Sequence, residues 1–393
     1  MGQLSCRSGD LFIHKASNIL PRRSRHDGLL NYEMTPQIGP IILNELQRAF
    51  QQRNLTLYLG AGVSVGNGLP NWSQLVLAMY FSAVRGDWKV RWKPYPNYLY
   101  AIAEWQLSRG HEPLEITARK VQQYYGSDDE GFLKDLRETL YAGFNPQLGA
   151  GEPVLPSKSQ LRLANSTLDG VADLCASSTS KRGIHAVVTY NYDNLLERAT
   201  EGDSCRFVPV WGAGQKVAAN ERPIVHVHGY IPDTGSGSKL GDIVFTEQQY
   251  HAAAHSPYSW SNLSQIQCLS SSVGLMVGLS LSDRNMRRLL DAVRVTPLHK
   301  PQFAIIKKPS WEKPDNAQLD AIDQKAQGYI SRFRKSGAKT KGEKAASEMI
   351  EIFEELNRHE ESNYTQMLND MGITPIWYTN HKDVRGILSQ IVE

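Results

Sequence analysis

The sequence predicts an α/β fold: a parallel sheet with a helical subdomain inserted after its first strand and helix. Three observations carry this. Runs such as Leu55-Thr56-Leu57-Tyr58-Leu59, Ile184–Thr189 and Val273–Leu279 are nearly continuously apolar rather than alternating, the pattern of strands covered on both faces. Segments of helical spacing separate the runs, as parallel crossovers require. A glycine cluster from Gly60 to Gly68 directly follows the first run and supplies the tight turn that such a fold needs there.

Taken in order, residues 1–35 show no sustained periodicity and contain the basic, turn-prone stretch Pro21-Arg22-Arg23-Ser24-Arg25. They are expected to form an N-terminal arm, and residues 36–393 the main domain. Leu43, Leu46 and Phe50 mark one face of a helix. Beyond Pro70, a stretch from about residue 73 to 180 is mostly helical in pattern, rich in Trp, Tyr and Leu, with breaks at Pro94, Pro96, Gly126 and Pro146. That is the inserted subdomain. Further strands are expected at Ile184–Thr189, Ile224–His228, Ile243–Phe245, Val273–Leu279, Phe303–Ile306 and Pro375–Tyr378. Met286, Leu289, Leu290 and Val293 have helical spacing, with Ser282 or Asp283 able to cap the start. A second helical insertion is expected at about 310–372. Within it the basic run Arg332–Lys344, which contains Gly337 and Gly342, reads as a solvated loop and leaves a nucleic-acid or partner contact open. No internal repeat is present.

The bulk numbers bound the function. A chain of 393 residues, 41% hydrophobic and 21% charged, is an ordinary folded protein with a sizeable core. Its net charge of +3 argues against a protein built mainly to grip nucleic acid. Cys6, Cys175, Cys205 and Cys268 are far apart and form no C-x-x-C pair, so no zinc or other metal is expected. Such sparse cysteine suits a reducing, cytoplasmic setting. No apolar run reaches the length of a membrane helix, and the N-terminus has no apolar signal core. Met1-Gly2 begins like a myristoylation signal, but Cys6 stands where Ser or Thr is wanted.

Four elements carry chemistry, each at an expected strand end, where ligands of open parallel sheets bind. In Gly60-Ala61-Gly62-Val63-Ser64 the glycines would let backbone approach a ligand, and a following helix would offer free N–H groups to a pyrophosphate. A ligand-free turn is the plain alternative. The loop matches neither G-x-G-x-x-G nor a P-loop. In Thr189-Tyr190-Asn191-Tyr192-Asp193-Asn194-Leu195-Leu196-Glu197, Asn191 offers an amide and Asp193 a carboxylate; for Asp193 helix capping and ligand contact stay equally open. In Val225-His226-Val227-His228-Gly229, strand alternation sets His226 and His228 on one side. His228, last before a glycine, is the candidate acid–base group, and His226 lies one pleat deeper. In Gly278-Leu279-Ser280-Leu281-Ser282-Asp283, small and hydroxyl side chains suit a ribose, or simply cap the next helix.

The ordered set resembles the sirtuin family: the Gly-Ala-Gly-x-Ser loop running on to Gly68-Leu69-Pro70, the Thr-x-Asn-x-Asp strand end, the His-Gly step and the Gly-x-Ser strand end. With Thr246-Glu247 and Pro375-Ile376-Trp377-Tyr378, the likeness spans about residues 38 to 393. It implies a Rossmann-like sheet and NAD as a substrate. The chain departs from the protein deacylases in lacking their cysteine pairs, in having Trp72-Ser73 after the proline loop, and in having Tyr190 before Asn191. With the Asn-Tyr-Asp-x-Leu-Leu-Glu form, these features look like the bacterial sirtuin-like branch of anti-phage defence, which depletes NAD.

The resemblance implies an NAD glycohydrolase that releases nicotinamide and ADP-ribose in abortive defence. It gives Asn191 the nicotinamide ribose and its water, Asp193 the carboxamide, and His228 the role of general base. Gly60, Ala61, Gly62 and Ser64 would cradle the pyrophosphate, and Gly278 and Ser280 would hold the adenosine ribose. The transition state would resemble that of glycoside cleavage. It also implies a homo-oligomer and a HerA-type translocase ATPase as partner, with no membrane. Three alternatives remain open: an NAD-dependent protein deacylase, a serine hydrolase using Ser64, Asp193 and His228 within Gly62-Val63-Ser64-Val65-Gly66, and a catalytically silent NAD sensor.

Overall fold

The computed structural model describes residues 37–87, 113–144, 155–162, 166–297, 299–309 and 342–393, with residues 102 and 105 and parts of 315–325. The expected arm, residues 1–35, lies outside the described residues, as do residues 332–341 of the basic run.

The described chain opens with helix α1 (Pro40–Gln51) and strand β1 (Leu55–Leu59). Between residues 73 and 180 every regular element described is helical: α2 (Trp72–Asp87), α3 (Leu114–Tyr125), α4 (Asp129–Leu140), α5 (Lys158–Arg162) and α6 (Thr167–Ala176), with single 3-10 turns between some of them. Strand β2 (Ile184–Thr189), helix α7 (Leu195–Ala199), β3 (Arg206–Val210) and β4 (Glu221–His226) follow. Then come α8 (Glu247–His255), α9 (Trp260–Ser271), β5 (Val273–Val277), α10 (Arg284–Arg294), β6 (Gln302–Lys307), α11 (Gly342–Asp370), β7 (Ile373–Tyr378) and α12 (Asp383–Ser389).

The strands form one seven-stranded sheet in the order β3-β4-β2-β1-β5-β6-β7, and every pairing is parallel. This is a Rossmann-like α/β fold. The chain enters at β1, runs out through β2 to the β3 edge, then crosses back to β5 on the other side of β1. That reversal makes the β1–β5 seam the topological switch point, where the strand ends splay into a crevice.

Burial explains the apolar runs. Leu55, Leu57 and Leu59 of β1, with Leu275 and Val277 of β5, sit in one core. Tyr58 and Met276 face the second, with Val188 of β2 and Ile306 of β6. Both faces of the sheet are covered, so both sides of these strands carry mostly apolar side chains. No helix among the described residues is long and apolar enough to cross a membrane.

Several expected strands change. Arg206–Val210 is a strand that the pattern did not announce: it contains Pro209 and only partial burial, both tolerated because it is the outermost strand of the sheet. Ile243–Phe245 is not in the sheet. Ile243 and Phe245 are buried, which accounts for the apolar run. The backbone there bonds to loops rather than to a strand: Val244 N–H donates to the His228 carbonyl at 2.9 Å and its carbonyl accepts from the Tyr192 hydroxyl at 2.7 Å. Strand β4 starts earlier than expected and stops at His226. Strand β5 stops at Val277, because Gly278 turns with φ +67°.

Candidate active site

The site is built around the switch point. Gly60 N–H donates to the Val277 carbonyl at 3.1 Å and Gly62 N–H to the Gly278 carbonyl at 3.0 Å, so the loops after β1 and β5 touch backbone to backbone. A Cβ on Gly60 would stand 2.6 Å from the Gly278 carbonyl oxygen, one on Gly62 2.8 Å from Gly278 Cα, and one on Gly278 2.6 Å from the Val63 nitrogen. These glycines are required by that contact, whatever else they do. No helix begins directly after the loop; two 3-10 turns, Ala61–Val63 and Val65–Asn67, lead to α2. Within them Val63 N–H bonds to Gly60 and Ser64 N–H to Ala61. The backbone N–H of Ala61 has no partner among the described residues.

Strand β2 ends in a polar cluster. Asn191 Nδ2 donates to the Gly60 carbonyl at 3.0 Å and to Ser64 Oγ at 3.3 Å, which leaves Oδ1 without a partner among the described residues. Ser64 Oγ in turn donates to Asp193 Oδ2 at 3.0 Å. Asp193 Oδ1 accepts from Leu195 N–H at 3.1 Å, so this carboxylate holds the first N–H of α7 as well as Ser64, although the N-cap position itself is Asn194. Burial pushes the Asp193 carboxyl up to about 6; the Leu195 and Ser64 hydrogen bonds and the charge of His226 pull it back, while Glu197 pushes with burial.

The two histidines part company. His226 is the last residue of β4 and 1% exposed. Its Nδ1 lies 3.1 Å from the Asn191 carbonyl oxygen and its Nε2 2.7 Å from Glu197 Oε1. His228 lies beyond the strand, before Gly229 at φ +107°, so the alternation that would pair it with His226 no longer applies. Its ring sits edge-on to Tyr190 and Tyr250, with centroids 5.0 and 5.4 Å away. Its Nε2 is 3.3 Å from Asp283 Oδ2. Asp283 caps α10 by accepting from Met286 N–H at 2.6 Å. Burial raises the Asp283 carboxyl, but His228 and the Met286 and Asn285 N–H groups more than offset this and hold it below its usual value.

The Asn191 cluster and the His228–Asp283 pair, but not His226, open onto a cavity of about 440 Å³, a size typical of small-molecule sites. Of the nine residues expected from the sequence, Gly60, Ala61, Ser64, Asn191, Asp193, His228 and Ser280 line it. Gly62 and Gly278 are the two outside that lining, held in the seam. Ser280 Oγ is 2.7 Å from Ser282 Oγ, and Leu281 between them has φ +55°, a strained conformation for a residue with a side chain. Sequence reasoning did not give Asp283 a role beyond capping, and missed Arg284, Arg288 and Tyr250 in the wall. Two basic residues in the first turns of a helix after a ligand-binding loop were the available signal for the arginines; Tyr250 had none. Trp72, noted only as a departure, lines the cavity, and its buried indole N–H has no acceptor among the described residues.

The arrangement can hold an anion at the α10 arginines, orient a hydroxyl against Asn191 Oδ1, and accept a proton at His228. It is not a Ser–His–Asp relay: Ser64 bonds straight to Asp193, and no hydrogen bond joins it to His228. Among the described residues no group of three or more His, Cys, Asp or Glu could hold a metal. Cys175, Cys205 and Cys268 are free, buried thiols, with burial pushing Cys268 up to about 11.

Residues 185–328 match the family model of the SIR2-like domain. No curated protein matches the chain. The match supports a sirtuin-like assignment and NAD-related chemistry. The SIR2-like stretch runs from β2 past β6 and contains Asn191, Asp193, His228, Ser280 and Asp283. It begins after the Gly60–Ser64 loop, which geometry nonetheless joins to it through Ser64 and Asp193.

Proposed function

We propose that the protein is an NAD glycohydrolase that cleaves NAD to nicotinamide and ADP-ribose. The observation that carries this reading is the convergence of Asn191, whose Oδ1 has no partner among the described residues, and the His228–Asp283 pair on one cavity at the switch point.

The residues fit such a substrate. The Ala61 N–H and the guanidinium groups of Arg284 and Arg288 suit the pyrophosphate, and Ser280 suits the adenosine ribose. Asn191 Oδ1 would accept from a hydroxyl of the nicotinamide ribose, with its amide already anchored on Gly60 and Ser64. Asp193 supports that anchor through Ser64 and would reach the carboxamide with its remaining lone pairs. In the reaction the bond between the ribose C1′ and the nicotinamide nitrogen breaks, and its electron pair neutralises the pyridinium, so the leaving group needs no acid. Water forms the new bond to C1′ and loses a proton. His228 takes that proton. Asp283 Oδ2, 3.3 Å from Nε2, would stabilise the imidazolium that forms. Tyr190 and Tyr250 hold the ring edge-on, which limits its rotation.

By the same resemblance the enzyme would act in abortive anti-phage defence in the cytoplasm, as a homo-oligomer with a HerA-type translocase ATPase, and without zinc. Incubation of the purified chain, alone and co-expressed with such an ATPase, with NAD should release free nicotinamide. Intact NAD under both conditions overturns the reading. Stoichiometric NAD-dependent deacetylation of an acetyl-lysine peptide would move the protein to the deacylase branch.

A further inference from the structure

His226 and Glu197 take no part in the reaction just described. His226 is sealed at the end of β4, and Glu197, in the first turn of α7, is mostly covered. A carbonyl oxygen only accepts, so the 3.1 Å contact with Asn191 means that His226 Nδ1 carries a proton and donates it. Nε2 and Glu197 Oε1, 2.7 Å apart, share the next proton, as imidazolium and carboxylate or as imidazole and carboxylic acid. Either form leaves the imidazole fixed at both nitrogens. Tyr230 packs on the ring with centroids 4.5 Å apart.

Asn191 is therefore held from two directions. Its side-chain amide is bonded to Gly60 and Ser64, and its backbone carbonyl to His226. Packing does not do this by itself: Ser64, Asn191, Asp193, Glu197 and His226 border a void of about 10 Å³, room for about one water, and Glu197 Oε2 has no partner among the described residues. Beside that void Asn191 lacks packing contacts on one side, so its hydrogen bonds carry more of its positioning.

We infer that His226, clamped by Glu197, is a positioning residue that fixes the backbone of Asn191 and so aims Asn191 Oδ1 into the cavity. This rests on the proposed role of Asn191 in holding the ribose. The competing view is a buried pair kept for stability alone, in which the Nδ1 contact has no special weight.

Two isosteric substitutions separate the views. In His226→Asn the amide N–H stands where Nδ1–H was, and nothing reaches Glu197. In His226→Gln the side chain reaches the Nε2 position and nothing stands at Nδ1. Each is combined with Glu197→Gln, so that no lone carboxylate is left buried. The inference expects His226→Gln/Glu197→Gln to lower kcat for nicotinamide release by about tenfold or more, with KM within about threefold. It expects His226→Asn/Glu197→Gln to keep kcat within about threefold of wild type. Equal kcat in the two double variants overturns it. A second readout does not need turnover: the Asn191 side-chain amide resonance in ¹⁵N-asparagine-labelled protein, assigned by its loss in Asn191→Ala. It should move in His226→Gln/Glu197→Gln and stay in His226→Asn/Glu197→Gln. If the wild-type chain releases no nicotinamide, the hydrolase reading fails, and the resonance still decides this inference: equal shifts in both variants overturn it.

Discussion

His226 and His228 stand two residues apart and have opposite surroundings. His226 closes strand β4, with both nitrogens on protein groups. His228, just past the strand, lies on the cavity wall between two tyrosine edges, with Asp283 at one nitrogen. The last ladder residue of a parallel strand is covered by the loops and helices of its neighbours, whereas the first residues beyond it form the crevice rim. The same boundary divides the glycine loops: Gly62 and Gly278 lock the β1–β5 seam, and Ala61 and Ser280 line the cavity.

The sharpest way to break this contrast is to remove each imidazole in turn. His228→Ala and Asn191→Ala should lower nicotinamide release by about 10³-fold or more with the fold intact. His226→Ala should cost about tenfold, because it acts through another residue. Equal losses at the two histidines would erase the distinction. Asp283→Asn sharpens it further: losing the charge at His228 Nε2 should reduce kcat by about 10- to 100-fold, with a changed pH–rate profile. An unchanged profile would remove Asp283 from the site.

The seam side of the contrast is tested by stability. Gly278→Ala adds a Cβ 2.6 Å from the Val63 nitrogen at φ +67°, and should destabilise by about 2–4 kcal/mol in urea unfolding. A loss below about 0.5 kcal/mol would mean that the two loops part easily.

The smallest effect concerns Asp193, which belongs to both regions. Its carboxyl is pushed from the ordinary 3.8 up to about 6 by burial, so the native state holds the proton more tightly than the unfolded chain. This group's contribution to stability is therefore greatest below about 4 and falls as pH rises through about 6. Asp193→Asn carries no such penalty. Its stability relative to wild type should rise by about 2–3 kcal/mol between about pH 4 and about pH 7.5, measured by urea unfolding at both. A difference that is flat with pH would show that Asp193 is not penalised by burial.

Much of the sheet was legible in the sequence because two-sided burial writes itself as apolar runs: β1, β2 and β5 begin where Leu55, Ile184 and Val273 open theirs, and β6 begins one residue before Phe303. The run at Ile243–Phe245 misled for the same reason, since burial in a loop leaves the same composition as burial in a strand. The edge strand at Arg206–Val210 was silent because half-exposed residues and a proline carry no strand signal. In the candidate site, Asn191 and His228 could be singled out because each stands two residues past a strand with a recognisable apolar run, β2 ending at Thr189 and β4 at His226.

By itself, then, the sequence determined most of the strands and helices, where the chain turns on glycine, and which polar groups stand near strand ends, since these are local matters of period, burial and backbone freedom. The tertiary structure decided which of those groups meet. Ser64 finds Asp193 across 129 positions, and His228 finds Asp283 at the start of α10, because the sheet order sets β1 between β2 and β5. It also decided that Asn191 rests on a buried histidine, a contact between residues 35 positions apart that exists only because β4 pairs beside β2.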